Sequence, residues 1–186
     1  MGPVNIKTSP TIRSKLNYFE RKHMTSPVIM IKDLKKECGE CTACCSGALA
    51  GQAHGHYFFK GRPCFFLKKD GCSIYEDRPE NPCVGYKCGY LSEAFFPEWM
   101  RPDKCNILAT PRVHKYLEKV KENDVERDEE RYIPYMQLLE YGGSASAKSL
   151  WWFIEKHLEG IIPNLLIEIE GGYHRMGSLD FLKAKL

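Results

Sequence analysis

The spacing of apolar positions divides the chain into unlike parts. From about residue 31 to 108, apolar residues come in short runs such as "HYFF" and "CFFL", interrupted by Gly, Pro and charge, which predicts a loop-rich segment. Its clearest local element is "CFFLKKDGCSIY", residues 64–75, where Asp70-Gly71 between β-prone runs predicts a two-residue hairpin turn. With Lys69 opposite Cys72, Cys72 shares a face with Leu67 and Phe65 while Cys64 points to the other side. The two cysteines are then expected to serve different sites.

After residue 108 the spacing turns helical. Thr110 suits an N-cap and Pro111 the first helical position, and Val113, Tyr116, Leu117 and Val120 follow at i, i+3, i+4 and i+7. The acidic run "ENDVERDEER", residues 122–131, reads as an exposed helix end or linker. Two more helices are predicted at "YMQLLEY" and "SAKSLWWFIEKHLEG". In the second, Ser146 is the cap, Leu150, Ile154 and Leu158 are the buried stripe, and Gly160 is the stop. Trp151 and Trp152 are expected to pack in the core. The last stretch, "GGYHRMGSLDFLKAKL", has no assignable period.

These readings give an α+β chain in three parts: a basic N-terminal arm (1–30), a small cysteine-cluster metal-binding module with a short β-hairpin (31–108), and an α-helical C-terminal region (109–186). At 186 residues, 43% hydrophobic and 27% charged, the chain has the composition of a folded protein rather than a disordered one. Its net charge of +3 permits contact with nucleic acid without arguing for it. Runs such as "SLWWFI" and "IIPNLLIEI" are far short of a membrane span, so no membrane association is expected. The N-terminal "MGPVNIKTSP" lacks an apolar signal core, and the protein is expected to be cytoplasmic.

A reducing compartment changes the reading of the nine cysteines, because thiols clustered there bind metal more readily than they pair. In "CGECTACC" the spacing Cys38-x-x-Cys41-x-x-Cys44 brings three thiols into a continuing turn, close to the first three ligands of an iron–sulfur loop and built on the C-x-x-C half-site of structural zinc. Cys45 is adjacent to Cys44 and projects differently, so the two are expected to serve neighbouring sites. Cys64, Cys72, Cys83 and Cys88 bring the set to eight. Eight thiolates satisfy two zinc ions, one cubane cluster plus one zinc, or one cluster with spare thiols. Lys35, Lys36, Lys60, Arg62, Lys68, Lys69, Arg78 and Lys87 fall in the same segment and could offset thiolate charge. His54 and His56 are read as neutral loop residues rather than ligands.

The order "CGECTACC", "PCFFL", "GCSIYEDRP", "PC", "YKC" resembles the YkgJ-type CxxCxxCC cysteine cluster family, described as zinc- or iron-chelating, over roughly residues 37–90. The resemblance implies that Cys38, Cys41, Cys44, Cys45, Cys64, Cys72, Cys83 and Cys88 are metal ligands. It implies a cofactor of Zn2+ or a [4Fe-4S] cluster, the latter through flagellin lysine methylases that share the signature. It leaves Cys105 outside as an ordinary buried thiol, and it gives Tyr75 a packing role and Arg78 a hydrogen bond to a carbonyl or thiolate. "RPENPC" carries one residue more than the family spacing.

Three functions follow as expectations. The first is a metal-binding module that offers a platform to a protein partner. The second is an iron–sulfur enzyme or redox protein, for example a protein-modifying one. The third is a zinc-dependent nucleic-acid binder that uses the basic arm. No phosphate-binding loop, dinucleotide fingerprint, zincin motif or nucleophile elbow is present.

Overall fold

The computed structural model describes residues 36–122, 125–169 and 172–186; the basic arm read at residues 1–30, and Lys35, lie outside the described residues. The described residues belong to one compact unit, Lys35–Leu186. Two small antiparallel hairpins come first, β1 (Gly51–Ala53) with β2 (His56–Phe58) and β3 (Leu67–Lys68) with β4 (Gly71–Cys72). Two single-turn helices follow, α1 (Gly89–Ser92) and α2 (Pro102–Cys105). The rest is a four-stranded sheet in the order β5 (Ile107–Glu122), β6 (Val125–Glu140), β7 (Leu165–Ile169), β8 (Gly172–Met176), with helix α3 (Ala147–Leu158) between β6 and β7 and α4 (Leu179–Lys183) at the end. The pair β6–β7 is parallel and the other pairs are antiparallel.

The chain is therefore α+β as the pattern predicts, but its C-terminal region is a sheet with helices and not a helical bundle. Residues 107–122, read as a helix, are a 16-residue strand. The helical stripe was a coincidence of spacing: Val113 and Leu117 are 63% and 62% exposed, whereas His114 and Tyr116 are partly buried and alternate with exposed neighbours. A period of two is the strand signature. Pro111, taken as a helix start, lies on an edge strand, the place in a sheet that accommodates proline. The acidic run supplies the start of β6, and its charges answer those of β5. Lys115 pairs with Glu130 at 2.5 Å, Arg131 with Glu118 at 2.7 Å and Arg127 with Glu122 at 2.8 Å. All are exposed, so each adds only about 0.2–1 kcal/mol, yet together they favour this cross-strand register.

"YMQLLEY" is also strand. Met136 and Leu138 are buried on one face of β6 and alternate with the partly buried Gln137 and Leu139, and so short an apolar run cannot be told from a helix by periodicity.

Helix α3 forms where the sequence places it. Ser146 caps it by accepting from Ser149 N at 3.1 Å, and Gly160 beyond its end adopts φ 77°. Its buried face is different from the predicted stripe: Ser149 and Phe153 point inward, while Leu158 is 71% exposed. Trp152 packs against Phe96, Phe153, Phe95 and Trp99 with ring centroids 5.1–6.2 Å apart, whereas Trp151 faces solvent.

The main core joins Ile107, Leu108, Met136, Leu138, Leu165 and Ile167 of the sheet to Phe153 and to Tyr90, Phe96 and Met100 of the preceding loop region. It therefore crosses residue 108. The unassigned C-terminal stretch supplies β8 and α4, whose Phe181 is buried with Ile133 and Leu166. Asn164 is clasped between them: its Nδ2 donates to Pro134 O and its Oδ1 accepts from Ser178 N, both at 2.8 Å.

Replacing Phe153 by Ala should cost about 3–5 kcal/mol, whereas Leu158→Ala should cost less than about 0.5 kcal/mol. Urea denaturation of the two variants measures both. A large loss at Leu158 would contradict the α3 orientation.

Candidate metal centre

The sulfur-bearing segments are turns held by backbone hydrogen bonds. Cys41 N donates to Cys38 O at 3.0 Å, closing a turn over Gly39, whose φ is 53°. One wide turn, Cys44–Ala48, follows, in which Gly47 adopts φ 98°. A Cβ at Gly47 would lie 2.4 Å from Phe59 O, so this glycine is required by both its backbone angle and its close approach. The second group of cysteines is tied to the first by a direct bond, Cys64 N to Cys45 O at 2.7 Å.

The hairpin at Asp70-Gly71 is present with its register shifted by two from the predicted one: Leu67 faces Cys72 and Lys68 faces Gly71. Cys72 remains on the Leu67 face. Cys64, however, does not sit on the strand, because Leu67 N donates back to Cys64 O at 3.0 Å and residues 64–67 form a turn. Strand alternation stops short of Cys64, and the expected separation of Cys64 from Cys72 does not hold. The "RPENPC" segment is taken up in another wide turn, Glu80–Val84, with Val84 N bonded to Pro79 O and Gly85 N to Glu80 O. Cys88 is the N-cap residue of α1, and its carbonyl accepts from Leu91 N at 2.9 Å and from Ser92 N at 3.0 Å.

These turns bring Cys38, Cys41, Cys44, Cys45, Cys64, Cys72, Cys83 and Cys88 to the wall of one cavity of about 260 Å³. Cys105 is not on that wall; it is buried and its thiol donates to Met100 O and Ile107 O at 3.4 and 3.5 Å. All nine are free thiols. Among the described residues, no three His, Cys, Asp or Glu side chains already converge on a single ion-sized point. The sulfurs share a space rather than a vertex, and gathering four onto one ion requires rotation about the single side-chain torsion of each cysteine.

Electrostatics in the cavity is dominated by desolvation. Burial pushes the Cys44 thiol far above its ordinary range, and the charges of Cys88, Cys45, Cys38 and Cys41 add to it in that order. Cys45 is pushed up to about 11, by burial first and then by Cys64, Cys72 and Cys83. Burial also raises Cys38, against the pull of Arg78 and Arg101, and raises Cys41, against backbone hydrogen bonds from Ala43 and Asp103. The donor set is chemically suited to a soft cation: it is all sulfur and half-buried.

Of the cations noted in the sequence, Arg78 lines the cavity; Lys60, Arg62, Lys68, Lys69 and Lys87 do not. Arg78 Nε donates to Tyr75 O at 2.7 Å and its guanidinium lies 3.5 Å from the centre of the Tyr75 ring. Lys36 is used elsewhere, donating to the carbonyls of Glu93 at 2.8 Å and Phe96 at 2.7 Å. Sequence reasoning missed Arg101, which reaches the cavity wall from the "EWMRP" turn and is fixed by Asp103 through bonds of 2.7 and 2.8 Å. No motif marks it, since it lies beyond residues 37–90, over which the cysteine pattern runs. His54 and His56 stay off the wall: His54 Nε2 contacts Asp77 O at 2.9 Å and His56 stacks on Phe65 at 4.2 Å.

No protein family, curated protein or solved structure matches the chain. Among the described residues, no helix is long and apolar enough to cross a membrane.

Gly47→Ala should destabilise the cysteine-bearing lobe by more than about 1 kcal/mol, since both its φ and the space around it exclude a side chain. Hydrogen exchange should accelerate in residues 44–62 and stay unchanged in β6. Uniform acceleration, or none, would contradict the local role of this glycine.

Proposed function

We propose that this protein is a metal–thiolate protein that binds zinc or an iron–sulfur cluster through Cys38, Cys41, Cys44, Cys45, Cys64, Cys72, Cys83 and Cys88. The observation that carries this reading is that eight cysteines from four turns, strand β4 and the N-cap of α1 line one cavity, while the ninth is bonded into the apolar core. The YkgJ-type pattern of the same eight residues supports it.

A second support is the economy of the lobe that carries them. Its apolar cluster is built on Ala53, Phe58 and Cys64, and its strands are two or three residues long. Such a segment does not bury enough apolar surface to hold its turns alone, and cross-linking by metal is the usual remedy in a chain whose thiols are free. When bound, the metal or cluster would supply that cross-linking and, if it is iron–sulfur, an electron-accepting centre. This chain's own residues would hold the ligands: the Cys38–Cys41 turn, the α1 turn that begins at Cys88, the bond from Cys64 N to Cys45 O, and Arg78 and Arg101 on the cavity wall.

Anaerobically purified full-length protein should contain stoichiometric zinc, or iron with acid-labile sulfide and visible sulfur-to-iron absorption. Elemental analysis with an absorption spectrum decides between them. Cys105→Ala should leave the metal content unchanged. A chain free of both metals after expression in metal-replete medium would overturn the reading.

A further inference from the structure

Resting on the metal–thiolate reading, we propose that the eight thiols form two separate four-thiolate metal centres. Cys38, Cys41, Cys44 and Cys88 make the first, Cys45, Cys64, Cys72 and Cys83 the second, and the Cys44–Cys45 peptide bond divides them.

The packing makes this division. Cys88 is buried in the main core, and Cys44 packs against that same core. Cys64 is buried in the small core of Ala53 and Phe58, and Cys45, Cys83 and Leu67 pack against that one. Adjacent residues 44 and 45 thus face two different apolar clusters, so their sulfurs leave the chain in different directions.

Each remaining cysteine is tied to one side. Cys72 stands opposite Leu67 in the β3–β4 hairpin, which places it with the small core. Cys45 and Cys64 are joined by the 2.7 Å backbone bond between them. A Cβ at Gly39 would lie 3.2 Å from an Arg101 guanidinium nitrogen, which sets the Cys38–Cys41 turn beside the segment that runs into α2, whose Cys105 belongs to the main core, and Cys41 N donates to Cys38 O within that turn.

Four thiolates complete a tetrahedral ion or hold a cubane, so each set is sufficient by itself. The two sets also differ in their surroundings. Arg101 stands against the Cys38–Cys41 turn of the first, the β3–β4 hairpin carries Cys72 of the second, and Arg78 is on the wall that both share.

Anaerobic titration of the reduced full-length chain with Co2+, followed by sulfur-to-cobalt and d–d absorption, tests the division. The unsubstituted chain should bind two equivalents. C44S/C88S and C64S/C72S should each bind one, with the sheet signal in circular dichroism retained. A single equivalent in the unsubstituted chain, or loss of both equivalents in either pair variant, would overturn the two-centre assignment while leaving metal binding intact. No binding at all by the unsubstituted chain would remove the metal–thiolate reading and this assignment with it.

A second measurement avoids substitution altogether. The unsubstituted chain is half-saturated with Co2+, alkylated, and resolved as intact molecules by mass spectrometry. Molecules labelled at four of the eight cysteines should carry all four labels within one set; labels mixed between the sets would overturn the assignment.

Discussion

Sulfur atoms gathered around a common cavity impose the constraint on which this molecule is organised. As thiols they are weak hydrogen-bonding groups that fill space; as thiolates they repel one another in a place that burial has already made costly for charge. Arg78 and Arg101 are the cations on the cavity wall among the described residues, and two positive charges could not balance eight thiolates. Burial accordingly raises the thiols of Cys38, Cys41, Cys44, Cys45, Cys83 and Cys88. Short turns aim the side chains, and aromatic and aliphatic groups pack around them.

The sheet does a different job. Residues 36–105 have little regular structure of their own, and their larger side chains, Tyr90, Phe96 and Met100, are buried against β5, β6 and α3. The chain thus combines a turn-rich lobe lined with sulfur and a conventional apolar core. The shared packing of Cys88 and Cys44 with that core makes one unit of the two.

The sequence made the cysteine set legible because ligand spacing is a local property: three thiols at intervals of three residues, and a fourth adjacent, constrain direction without help from distant residues. That Cys44 and Cys45 project differently, onto two apolar clusters, could be read for the same reason. The partners of each could not, since they depend on how four turns pack, and the turn at residues 64–67 undid the parity argument for Cys64. Helix α3 was legible through Ser146 and Gly160, whose signals are also local. Strand β5 was misread because Val113, Leu117 and Val120 happen to fall at helical spacing. The information that makes it a strand lies on its partner, in residues Arg127, Glu130 and Arg131 across the ladder. A basic segment facing an acidic one across a turn is a non-local pattern that a single-window reading scores as two exposed charge runs.

Gly89 directly follows the last sulfur of the set and sits where the lobe meets the sheet. A Cβ there would lie 3.0 Å from the Phe96 ring and 3.3 Å from the Ala109 side chain of β5, so bare backbone is pressed against both. No compliant layer separates the cavity wall from the sheet at this point. The wall of the sulfur cavity is thereby joined to the sheet through main chain, so a side chain at position 89 would part the lobe from β5 before it disturbed any cysteine directly.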